Sequence, residues 1–174
     1  RLEEMEARVR ICKDCGLHRG RKKTVFGAGN PDARLVLVGE APGYDEDREG
    51  MPFVGAAGQL LTKILEAMHL RREDVFICNT VKCHPPGNRN PESGELIACE
   101  PYLIEQLKII QPQAICAMGK FAAQTLLKST TSISRLRGKW HEYQGVPLMP
   151  TFHPAYLLRN PSDKRLVWDD MKEI

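Results

Sequence analysis

The chain has 174 residues, 42% hydrophobic and 27% charged, with a formal net charge of +3. That length suits one domain burying on the order of 70% of its unfolded surface, and the composition excludes a disordered or fibrous chain. No run approaches the roughly 18 apolar residues of a membrane helix, and the polar, helix-patterned start is expected to hold no secretory signal.

Residues Leu2 to Cys12 predict a short amphipathic helix, with Met5, Val9 and Cys12 recurring at helical spacing. A basic, glycine-punctuated loop from Gly20 to Pro31 follows. Leu35 to Val38 reads as a strand too apolar for a one-sided sheet. It breaks at Gly39 into a loop reaching Gly58 that carries Glu40, Asp45, Glu46, Asp47 and Glu49, then Met51-Pro52-Phe53-Val54. Such a loop between a buried strand and a helix is where an α/β sheet usually puts its site. The helix begins near Gln59, shows Leu60, Leu61, Ile64, Leu65 and Met68 on one face, and closes at His69.

Val75 to Val81 predicts a second strand, and Pro85, Pro86 and Gly87 make Lys82 to Asn90 a loop. Asn90-Pro91-Glu92 has the form of a helix start, ahead of Leu96, Cys99, Leu103, Leu107 and Ile110. Ala114 to Met118 is a third strand, followed by a helix with Phe121, Ala122, Leu126 and Leu127. Ser129 to Lys139 is polar, basic and irregular in pattern. Val146 to Thr151 is a fourth strand, which Pro147 and Pro150 mark as short or at an edge. A last helix runs from about Ser162 to Lys172. This alternation predicts an α/β fold, three layers α/β/α around a central, mostly parallel four-stranded sheet, in a single domain over 1–174. Loops after parallel strands share one rim, so Glu40, Phe53, Asn79 and His153-Pro154-Ala155 should converge.

Six cysteines without an export signal argue against disulfides. Cys12 and Cys15 form a C-x2-C pair, Cys83 lies past the second strand, and Cys99 lies within a helix. These four suit one thiolate site that would pin the N-terminal helix to the central domain; Cys78 and Cys116 read as buried hydrophobes. Spacing leaves zinc and an iron–sulfur cluster both open. Three basic groups (Arg19, Arg21, Lys22, Lys23; Lys128, Arg135, Arg137, Lys139; Arg159, Lys164, Arg165) are each either solvated surface or phosphate contacts.

Taken together the motifs C-K-D-C at 12–15, G-E-A-P-G at 39–43, P-F-V-G at 52–55, C-N-T-V-K-C at 78–83, Cys99, and H-P-A-Y-L-L-R-N-P at 153–161 are in order along nearly the whole chain. The set resembles the family 4 uracil-DNA glycosylases, the iron–sulfur class of the uracil-glycosylase superfamily. That resemblance implies a [4Fe-4S] cluster on Cys12, Cys15, Cys83 and Cys99 and hydrolytic removal of flipped uracil from single- or double-stranded DNA, leaving an abasic site. It implies that Asn79 reads the uracil edge, that His153 donates to the oxygen that gains charge, and that Phe53 stacks on the base. Backbone around Ala41 and Gly43 would line the pocket. Glu46 is the choice for orienting water, with Glu40 in support, an order open to reversal. Leu157, Leu158 and Arg159 resemble the wedge that fills the vacated stack, Arg159 lying on phosphate.

The departures from related classes are Ala41 and Gly43, which stand where the best-known uracil glycosylases carry a water-activating aspartate and a thymine-excluding tyrosine. No histidine lies in Ser129 to Lys139, so turnover is expected instead of covalent capture. The rival reading is a non-catalytic nucleic-acid-binding iron–sulfur domain on the same scaffold. A zinc hydrolase is the poorest option, since four thiolates close a metal's coordination. A cytoplasmic, nucleoid-associated monomer from a prokaryotic or phage-like source is expected, with no membrane partner; nothing in the sequence shows or excludes a sliding clamp.

Overall fold

The four apolar runs 35–38, 75–81, 114–118 and 146–151 are too uniformly hydrophobic for a one-sided sheet, and they become its centre. In a computed structural model, which describes residues 1–174, they are β2 (Leu35–Gly39), β3 (Phe76–Asn79), β4 (Ala114–Met118) and β6 (Val146–Thr151). All four run parallel, in the order β3-β2-β4-β6. Two short strands complete a six-stranded sheet: β1 (Ala28–Gly29) beside β3 and β5 (His141–Tyr143) beside β6, both antiparallel.

The expectation of four strands is therefore corrected to six. Strands of two and three residues, one Ala-Gly and one His-Glu-Tyr, carry no alternation to read. β6 is also not the edge. It lies between β4 and β5, but β5 reaches only Val146–Leu148, so around Pro150 the strand has one neighbour and tolerates proline as an edge would.

Because side chains alternate along a strand, β2 sends Val36 and Val38 to one face and Leu35 and Leu37 to the other. The first face packs on α1 (Leu2–Arg10), α4 (Ser93–Ile110) and α5 (Lys120–Leu127) through Met5, Val9, Leu103, Leu107 and Leu126. The second packs on α3 (Ala56–Ala67), α7 (Pro154–Arg159) and α8 (Lys164–Lys172) through Leu61, Leu65, Leu157, Val167 and Met171. Three layers result, as the alternation implies. No helix is long and apolar enough to cross a membrane.

Helix boundaries depart from expectation where polar caps compete with periodicity. α1 stops at Arg10, leaving Cys12 outside it. α4 starts at Ser93 instead of Asn90, because Glu95 accepts the Glu92 N–H at 2.8 Å while Arg89 forks onto the same carboxylate. The acidic loop after β2 contains α2 (Tyr44–Glu49), and the irregular basic stretch contains α6 (Ile133–Leu136). α8 begins at Lys164 after a 3-10 turn, Pro161–Asp163.

Candidate active site

Parallel strands end on one rim, and β2, β3 and β6 deliver their following residues there: Glu40 after Gly39, Asn79 closing β3, and His153 two positions past Thr151. A cleft of about 340 Å³ opens at this rim, lined by Ala41, Gly43, Glu46, Phe53, Asn79 and His153. A larger cleft of about 1280 Å³ lies among the starts of the same strands, at Leu35, Val75 and Ala114, with Trp140 and Trp168. Size does not decide between them. The smaller cleft holds the buried polar group that lacks a partner.

That group is Asn79, 2% exposed, whose side-chain oxygen Oδ1 accepts no hydrogen bond. A buried acceptor without a donor costs on the order of 1–3 kcal/mol, so a site that keeps one is shaped for a ligand N–H. Phe53 and Asn79 meet over Gly39, where an added methyl would lie 2.6 Å from both Asn79 Oδ1 and Phe53 Cζ. Phe53 in turn stacks on the His153 ring, with centroids 5.5 Å apart and planes 30° off parallel.

His153 caps α7. Its Nδ1 accepts the Ala155 N–H at 3.0 Å, and Pro154 supplies the fixed first helical position. Accepting at Nδ1 leaves the ring proton on Nε2 in the neutral tautomer. Burial pushes the pKa down to about 4, helped by the Arg159 charge and opposed by Glu46. The imidazole is thus a neutral donor at physiological pH.

The two carboxylates differ sharply. Glu46 Oε1 accepts the Gly43 N–H at 3.0 Å, and Oε2 accepts those of Val54 and Gly55 at 2.8 and 3.0 Å. It braces both walls of the cleft. Glu40 has only its backbone carbonyl engaged, by the Val81 N–H at 3.1 Å and Thr80 Oγ1 at 2.6 Å. Burial raises its carboxyl to about 7.

Cys12, Cys15, Cys83 and Cys99 ring one cavity beneath α1, together with Val9, Leu17, Val81 and Tyr102. Burial raises the thiols of Cys83 and Cys99, the latter to about 11. The donor set, four soft sulfurs in an apolar enclosure, fits a polynuclear sulfur-ligated centre. No three of these side chains gather closely enough to grip a single ion. Cys78 and Cys116 are fully buried in β3 and β4, away from that cavity.

Leu157 is a correction. It is 1% exposed and packs into the core between α7 and the sheet, so it cannot enter a base stack. Leu158, next along the helix and 48% exposed, stays available, as does exposed Arg159. Two basic clusters are also partly structural. Arg137 forks onto buried Asp170 at 2.6 and 3.0 Å, and Lys128 pairs with Glu100 at 3.2 Å. Arg21 donates to Cys12 O at 2.8 Å and Cys83 Sγ at 3.3 Å, which ties the N-terminal segment to the cysteine cavity.

Three contributors escape the sequence patterns. Asn88 lines the cleft and hydrogen-bonds His84 through its Oδ1. Lys82, 1% exposed, donates to Asn79 O at 2.8 Å and Gln106 Oε1 at 2.7 Å, with no carboxylate partner. Arg72 donates to Pro52 O at 2.7 Å and Phe53 O at 2.9 Å. Only Asn88 carried any signal, its place in a Gly-Asn turn.

Comparison with known proteins agrees with this geometry. The family model of the Uracil DNA glycosylase superfamily matches residues 26–172. A Type-4 uracil-DNA glycosylase of Thermotoga maritima is 46% identical over 99% of this chain and 92% of its own length. Those of Sulfurisphaera tokodaii and Archaeoglobus fulgidus are 43% and 42% identical over 99% of this chain, covering 83% and 91% of their own lengths. With its parallel sheet, its rim cleft and its four-cysteine cavity, this chain belongs to the uracil-DNA glycosylase superfamily.

Proposed function

We propose that this protein is a monofunctional glycosylase that excises uracil from DNA by hydrolysis, working as a single domain over residues 1–174. The feature that carries the reading is Asn79 Oδ1, a buried acceptor without a donor beside an aromatic ring and a neutral imidazole. Uracil offers an N–H at ring position 3 between two carbonyls. Cytosine offers an acceptor there, which would face Asn79 oxygen to lone pair. A base held in a stack cannot reach this cleft, so the nucleotide must flip into it.

The chemistry follows from the groups. The bond from the sugar's C1′ to N1 breaks, its electron pair passes to the ring, and charge builds on the uracil oxygens. His153 Nε2–H donates to that charge without having to lose a formal positive charge of its own. Phe53 stacks on the base, an interaction worth about 1–3 kcal/mol. Water adds at C1′ and gives its proton to a carboxylate. Glu40, whose carboxyl lies near 7 and carries no hydrogen bond from the protein, suits that task better than Glu46, whose oxygens hold three backbone amides. This reverses the order that the motif suggested. Arg159 and Leu158 are proposed to meet the DNA beside the flipped nucleotide, on phosphate and stack respectively.

Cys12, Cys15, Cys83 and Cys99 would hold a [4Fe-4S] cluster, which would supply a structural crosslink between the segment after α1, the turn after β3 and α4. The reading is of a monomer in a prokaryotic cytoplasm, near the nucleoid. Incubation with single- and double-stranded uracil oligonucleotides, followed by alkali, tests it. Strand breaks only at uracil, and only after alkali, are expected. Intact strands from both substrates would leave the non-catalytic DNA-binding domain as the better account.

A further inference from the structure

Arg72 sits in a 3-10 turn, Arg72–Asp74, ahead of β3, and is not part of the cleft lining. Its guanidinium has no carboxylate partner within ion-pair distance. It donates instead to two successive backbone carbonyls, Pro52 O at 2.7 Å from Nη2 and Phe53 O at 2.9 Å from Nη1, and to Thr62 Oγ1 at 3.3 Å. Phe53 has φ of 51°, a left-handed conformation that a bulky side chain rarely adopts and that surrounding structure must impose.

The means of imposing it is visible in one peptide unit. The Phe53 carbonyl goes to Arg72, while the Val54 N–H of the same peptide goes to Glu46 Oε2 at 2.8 Å. A cation grips one end of the peptide dipole and an anion the other. Gly58 backs it, since an added methyl there would lie 1.8 Å from Phe53 O. Burial lowers the Arg72 pKa, and the charge of Glu46 works against that shift. Only a planar fork reaches both carbonyls at once, which is what distinguishes arginine from lysine here.

We propose that Arg72 is a positioning residue for uracil excision, holding Phe53 in its left-handed conformation so that the ring stays against Asn79 and His153 as the platform for the base. The inference rests on the reading that Phe53 stacks on uracil. A platform displaced by about 1 Å is enough to cost up to ~10²-fold in rate.

The test is a double-mutant cycle on the protein as purified, reading single-turnover excision and KM separately for Arg72→Met, Phe53→Ala and the pair. R72M is expected to lower kcat/KM about tenfold or more, with Arg72→Lys recovering only part of the loss. On the F53A background R72M should add nothing, because the residue acts through the ring. Additive losses, or a wild-type rate for R72M, would overturn the inference while leaving the stacking reading intact. A wild-type rate for F53A would overturn both. Should R72M not fold, R72K and Arg72→Gln taken through the same cycle give the same decision.

Discussion

Two pockets meet at the end of β3 and are built on opposite terms. The base cleft takes Asn79, the last residue of the strand, and the cysteine cavity takes Val81, Lys82 and Cys83 from the turn after it. In the cleft, polar groups are left available: an acceptor without a donor, and a neutral imidazole engaged only at Nδ1. In the cavity Cys83 and Cys99 are buried, and burial presses their two thiols toward the neutral form. One site is suited to a ligand that arrives and leaves, the other to a group that stays. Lys82 spans the two, since its ammonium holds the carbonyl of Asn79 while its neighbour Cys83 faces the cavity.

That contrast is best broken from the cleft side first. Asn79→Asp and His153→Ala should each slow single-turnover excision by about 10²- to 10³-fold, the loss expected for one preorganised donor or acceptor. Neither should change iron content, because neither residue touches the cysteine cavity. Asn79→Asp should leave thermal melting in place, and His153→Ala should lower it only by the cap that α7 loses. Cys99→Ser should do the reverse in kind. Iron per chain, measured by metal analysis, should fall, and the melting transition should fall with it. Unchanged iron in that variant would remove Cys99 from the metal site.

The pH dependence sharpens the cleft further. If Glu40 must be ionised to take a proton from water, the excision rate should rise about tenfold per unit below pH ~7 and level off above it. His153, with its pKa near 4, stays neutral through that range and adds no second limb. Glu40→Gln should lose the rising limb, while Glu46→Gln should keep it and lose thermal stability. A limb that survives in the Glu40 variant would return the water to Glu46.

The smallest effect separates two adjacent leucines. Leu157→Ala should destabilise the fold by about 2–5 kcal/mol in denaturant unfolding, as for any buried leucine. Leu158→Ala should change stability by less than ~0.5 kcal/mol and weaken only DNA binding.

Much of this molecule was legible because its signals are local. The uniform burial of Leu35 to Val38, the helical face from Leu60 to Met68 and the rim position of Asn79 follow from patterns within a few residues. What escaped depends on contacts through space. α2 is polar and bracketed by Gly43 and Gly50, so its hold comes from the Glu46 carboxylate on Gly43 instead of an apolar stripe. Leu157 shares a motif with Leu158 and Arg159, and only the helical spacing from Pro154 turns it inward. Arg72 lies about 20 positions from the peptide it grips, and no pattern links the two. That Glu46 is held by three backbone amides is likewise a matter of contacts that no local pattern shows.

The central claim is that Asn79 Oδ1 waits for the ring N–H of uracil. Calorimetric titration with free uracil and with 3-methyluracil, which lacks that N–H, tests it directly. Uracil should bind, and the methylated base should bind at least tenfold more weakly or not at all, with the difference vanishing in Asn79→Ala. Equal affinity for the two bases in the unaltered protein would contradict the account.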